Sequence, residues 1–142
     1  MWRWLGRWKF WRSTPQIMLP LTTKTTKQLG DAAENRALLY LQQQGLQLQA
    51  RNVRYKSGEL DLIMWELTAN TPTLVFVEVR SRAGSTHGGA LASIDAAKQR
   101  RIIAAAAQYL QTRKGTLPAC RFDVVLLQAH TPPQWLKAAF TA

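Results

Sequence analysis

Residues 73–82 read TLVFVEVRSR, and the reading of that run decides the fold. Its β-branched and aromatic residues favour a strand. Side chains two apart on a strand share a face. Leu74, Phe76, Glu78 and Arg80 therefore fall on one side, and Val75, Val77 and Val79 on the other. Both sides are mostly apolar, the pattern of a central strand covered on both faces. Glu78 and Arg80 then emerge side by side, about 6–7 Å apart along the strand. A carboxylate in such a strand needs a partner, because burying one alone is expensive.

Upstream, residues 58–67 read GELDLIMWEL, a second apolar run that carries Asp61. The polar turn TANTP between the two runs is short, so strands over about 59–67 and 73–80 are expected to pair as an antiparallel hairpin. A register that sets Asp61 across from Glu78 makes two carboxylates converge. Like charges that close repel, and a divalent cation relieves the repulsion. Two carboxylate oxygens, a main-chain carbonyl and waters suit Mg²⁺ or Mn²⁺. Arg80 would then face whatever anion such an ion holds.

The remaining elements follow from their punctuation. Thr25 or Thr26 caps a helix over about 27–44, closed by Gly45. A strand is expected over about 46–54, followed by the turn KSG. A second helix is expected over about 94–112 with Ser93 as N-cap. RFDVVLL, residues 121–127, is a fourth strand, and PPQWLKAAF a short terminal element docking through Trp135 and Phe140. The order αβββαβ gives an α/β fold with a mixed central sheet flanked by helices. On the first helix Glu34 shares a stripe with Leu38 and Leu41. On the second, Lys98 shares one with Ile94, Ile102, Ala105 and Tyr109. Both charges thus interrupt inward-facing stripes, where local rules are commonly broken for function.

Taken together, Glu34, GELDL, FVEVR and Lys98 resemble the core of the PD-(D/E)XK nucleases. Within that superfamily, residues 28–142 look most like the YraN-like family of small bacterial proteins, which are similar to archaeal Holliday-junction resolvases. The resemblance implies a restriction-endonuclease-like core. It implies Asp61 and Glu78 as metal ligands, with the Val79 carbonyl as a third. Arg80 stands where the superfamily has a lysine, and Glu34 matches an auxiliary acid. The implied reaction is hydrolysis of DNA phosphodiester bonds, including those of branched or junction DNA, with Lys98 supplying the missing ammonium. Arginine is not usefully deprotonated, so the alternative is a non-catalytic nucleic-acid-binding protein on the same scaffold. Junction resolvases act in pairs, which makes a homodimer a further expectation.

Charge supports an anionic partner. The net charge is +11. Residues 1–27 hold six Lys or Arg and no acid, so +6 lies there; thirteen basic and eight acidic residues leave +5 for the rest. Residues 1–26 are therefore set apart as a basic, tryptophan-rich, flexible extension, and residues 27–142 as the domain. Drawn as a helix, the extension places Trp4, Trp8 and Trp11 on one stripe. That stripe suits an anionic membrane, stacking on single-stranded nucleic acid, or neither if the segment is unstructured. No stretch approaches the length of a bilayer span. A single cysteine, Cys120, rules out an intramolecular disulfide and fits the cytoplasm.

Blander readings compete at each position. Asp61 could be a structural ion-pair partner of Arg80 or Lys98. Asp123 in RFDVVLL reads as a salt bridge, Glu59 as solvent-facing, Trp65 as core, and Cys120 and His130 as incidental. Arg82 and His87, in the basic loop after the third strand, and Arg100 and Arg101, on the second helix, are the candidates for phosphate contact. For the two helix arginines a wet helix face is the competing reading.

Overall fold

The computed structural model describes residues 23–68, 70–82 and 94–142. In chain order these form α1 (Thr26–Gln43), β1 (Gln47–Arg54), β2 (Glu59–Glu66), β3 (Thr73–Arg82), α2 (Ala96–Gln111), β4 (Ala119–Gln128) and β5 (Gln134–Phe140). The spatial order of the sheet is the chain order, β1 to β5. β3 is therefore the middle strand, as its two apolar faces required. All neighbours run antiparallel except β3 and β4, which are parallel. A parallel pair needs a crossover, and α2 lies within it.

Each face of the sheet carries one helix. Leu60, Ile63, Leu74, Phe76, Phe122 and Val124 pack with Ile102, Ala105 and Ala106 of α2. Leu62, Met64, Val75, Val77 and Val125 pack with Ala37 and Leu41 of α1. The split between Leu74/Phe76 and Val75/Val77 is the alternation read from the sequence. α1 begins at a capping box: Thr25 Oγ1 accepts the Gln28 N–H, and the Gln28 side chain accepts the Thr25 N–H. Such reciprocal caps satisfy two helix-end donors at once.

Two expectations are corrected. The terminal element is a fifth strand, so the order is αβββαββ, and β5 pairs antiparallel with β4. Stacked Phe76, Phe122 and Phe140 tie it down, with ring centroids 5.5 and 5.0 Å apart. The N-cap of α2 is Asp95, whose carboxylate accepts the Lys98 N–H at 2.7 Å. The helix starts there instead of after Ser93, because Asp is at least as good a cap and lies nearer the first apolar turn. The bulk of the N-terminal extension, with its tryptophans, and the loop holding His87 and Ser93 lie outside the described residues. Among the described residues no helix is long and apolar enough to cross a membrane.

Candidate functional site

The β2–β3 ladder ends at the pair Leu62–Val77, although β3 runs on to Arg82. A side chain bridges the gap: Asp61 Oδ2 accepts the Val79 N–H at 2.8 Å. It stands in for the main-chain acceptor that a continued ladder would supply. In an extended strand the N–H and C=O of one residue leave on the same edge. The Val79 carbonyl therefore turns toward the same gap and away from β4.

The interruption is matched in β1. Arg51 pairs with Leu62 and Val53 with Leu60, which sets Asn52 opposite Asp61. Asn52 is left-handed, with φ 54°, a conformation that asparagine tolerates better than most residues. Around this point β2 twists. Leu60 packs on the α2 side and Leu62 on the α1 side, where strict alternation would put both on one face. Asp61 sits at that twist, between the two helices.

Glu78 is 4 % exposed. Its Oε1 lies 3.2 Å from Lys98 Nζ and 3.7 Å from Arg80 Nη1. Lys98 reaches it from the first turn of α2, so the inward stripe read from the sequence has a destination. Asp61 is the strained member of the group. Burial and then the Glu78 charge push its carboxyl up to about 7, against the opposing pull of the Val79 N–H and Lys98. Glu34, on α1, also feels Asp61. Burial first and the Asp61 charge second raise its carboxyl above the usual range, while Asn52 and Arg51 act in the other direction. Its Oε2 lies 3.5 Å from Arg51 Nη2 but is buried with no hydrogen-bond partner among the described residues.

Asp61 thus lies within electrostatic reach of both Glu78 and Glu34, and one Glu34 oxygen is left without a hydrogen-bond donor among the described residues. Hard oxygen donors of this kind suit Mg²⁺ or Mn²⁺. Among the described residues no group of three or more His, Cys, Asp or Glu converges as a metal cluster. An ion here would draw on Asp61, Glu78, the Val79 carbonyl and water, a donor set that fits a cation keeping part of its hydration shell.

Of the residues singled out by sequence, Asp61, Glu78, Val79, Arg80 and Lys98 come together, with Glu34 approaching from α1. Arg82 is half-buried at the end of β3, and Arg100 and Arg101 are exposed on α2. Glu59 is not simply solvent-facing: it is partly buried and paired with Arg54 Nε at 2.9 Å. Asp123 is structural. Fully buried, it accepts from Arg121 Nε and Nη2, Trp135 Nε1 and the Ala138 N–H, all at 2.8–2.9 Å. Sequence reasoning missed Asn52 and Arg51. The only available signal was an asparagine interrupting a strand.

Comparison with known proteins places these elements in a family. The model of the family described as "Uncharacterised protein family UPF0102" matches residues 33–127, which include every acid and base of the site. A UPF0102 protein of Albidiferax ferrireducens is 56% identical over 131 residues, covering 90% of this chain and 97% of that protein. One from Verminephrobacter eiseniae is 54% identical over 121 residues, covering 83% and 81%. One from Pseudomonas putida is 56% identical over 117 residues, covering 78% and 90%. With a central strand, a paired acid and a crossover lysine all inside the matched span, the chain belongs to the UPF0102 family, the YraN-like family that its sequence resembles.

Proposed function

We propose that the chain is a metal-dependent nuclease domain of the restriction-endonuclease-like kind, hydrolysing DNA phosphodiester bonds, with branched DNA among its substrates. The observation that carries this reading is the meeting of Asp61 and Glu78 at the end of the β2–β3 ladder. Asp61 is tied to the Val79 N–H, and its carboxyl is raised by the Glu78 charge. Asp61, Glu78 and the Val79 carbonyl would hold Mg²⁺ or Mn²⁺, and a bound cation would supply Lewis acidity and an activated water. Lys98 and Arg80, both beside Glu78, would hold the scissile phosphate and balance the charge that develops on it. Glu34 would orient water through its orphaned oxygen.

One observation favours a second reading. Both cations nearest the site already pair with Glu78, and neither is a lysine on β3 itself. A scaffold that binds nucleic acid without turnover has the same features.

The test is incubation of the protein with linear, flapped and four-way DNA in Mn²⁺, beside Asp61→Ala and Glu78→Ala. The nuclease reading expects wild-type cleavage that chelation abolishes, with each variant losing at least 100-fold. Cleavage that survives in both variants, or binding with no cleavage on any substrate, would remove it.

A further inference from the structure

Next to the carboxylates, the β1–β2 turn and α2 enclose a hollow of about 310 Å³. Arg54, Tyr55, Gly58, Glu59, Lys98 and Arg101 are among its walls, three cations against one acid. Arg54 is steadied by Glu59 through Nε, so the rest of its guanidinium remains to face a ligand. Lys98 joins the hollow to the site, because its Nζ is the group 3.2 Å from Glu78. Arg101 is exposed and forms no ion pair among the described residues.

The hollow is built, not incidental. Gly58 approaches α2 so closely that a Cβ there would collide with the Arg101 carbonyl oxygen. Tyr55 and Gly58 exchange main-chain hydrogen bonds of 2.9 and 3.3 Å, and Ser57 Oγ lies 3.1 Å from Gln108 Oε1. The turn is thereby locked to the helix, which fixes the cations relative to the carboxylates. Guanidinium forks match phosphate oxygens in a way a lone ammonium does not.

We propose that this hollow is a phosphate subsite. It takes the backbone phosphodiester adjoining the one at Asp61 and Glu78, gripped by Arg101 and Arg54, with Lys98 between the two positions. The inference rests on nucleic acid being the ligand in the proposed function, and it adds where the neighbouring backbone lies. Such contacts set register and affinity without reading bases, so the grip is indifferent to sequence.

The experiment measures binding of fluorescent DNA to the full chain in EDTA over a salt series. Wild type is compared with Arg101→Ala, Arg101→Lys and Lys114→Ala; Lys114 is an exposed charge beyond the opposite end of α2. Arg101→Ala is expected to weaken binding roughly 5–10-fold and to reduce the salt slope by about 1. Arg101→Lys should restore the slope but not all of the affinity, and Lys114→Ala should leave both unchanged. An unaltered slope in Arg101→Ala, an equal loss in Lys114→Ala, or no binding by wild type at low salt would overturn the subsite. Cleavage in Mn²⁺ is followed on the same proteins. Slope changes without any cleavage would leave the subsite standing and remove the nuclease reading; cleavage with unaltered slopes would do the reverse.

Discussion

Asp61 holds its proton more tightly in the folded chain than in the unfolded one. Its carboxyl titrates at about 7 when folded, against about 3.9 for an unstructured aspartate. Folded chains therefore bind more protons between those values, and stability falls as pH rises through that window. The contribution is fully present below pH 4 and gone above pH 7. In EDTA, Asp61→Asn is expected to flatten this part of the pH profile and to melt roughly 5 °C higher than wild type at pH 8. The amide keeps an acceptor for the Val79 N–H and sheds the repelled charge. Mg²⁺ or Mn²⁺ should raise the wild-type melting temperature at pH 8 and leave the Asn variant unmoved; equal melting of both proteins across the pH range would contradict the geometry. Asp61, Glu78 and Lys98 were legible because each is a charge in an apolar period, and a period shows its own interruptions. Asn52 was not. It contributes a left-handed backbone angle and a side-chain contact to Glu34, and hydrophobic alternation reports neither.

Among the elements, the β1–β2 turn bears most directly on the site, since it sets α2 and hence Lys98. Gly58 is the close approach: its neighbour on α2 is main chain, which cannot rotate aside as a side-chain tip would. Gly58→Ala is expected to destabilise the domain by about 1–3 kcal/mol, as overpacking does, read by urea unfolding. It should also weaken DNA binding by shifting Arg54 against Arg101. A stability loss below about 0.5 kcal/mol would mean that the turn yields more easily than the contact implies. The hairpin and both helices could be read from the sequence because their periods are long, although the α2 cap is Asp95 and not the expected Ser93. β5 could not. QWLKAAF is rich in residues that favour helices, and it becomes a strand because β4 offers it an edge and Phe122 a ring to stack on. Tertiary pairing of that kind overrides propensity.

Across the whole molecule, the fully buried Asp123 and the partly buried Asp61 do opposite things. Asp123 is saturated by Arg121, Trp135 and the Ala138 N–H, and Arg121 in turn pairs with Glu66, which also pairs with Lys137. This network binds β2, β4 and β5 together on the α1 side of the sheet. Asp123→Ala is expected to lose about 3–5 kcal/mol of stability, the effect of stripping one partner from a buried pair. Chemical denaturation measures it, and under the nuclease proposal the molecules that remain folded should keep wild-type cleavage. An Asp123→Ala protein as stable as wild type would show that the network does not hold the sheet together. Composition does not say which acid is contented and which frustrated, because that depends on strands meeting across the sheet. The parallel step between β3 and β4 has a consequence for assembly. Asp61 and Glu78 belong to one local hairpin, whereas Lys98 rides the long excursion that must close before β4 can join. Short closures are entropically cheaper than long ones. The two carboxylates and Arg80 can thus come together while Lys98 is still in transit, so a nascent chain would offer its acids to ambient divalent cations before its own lysine arrives.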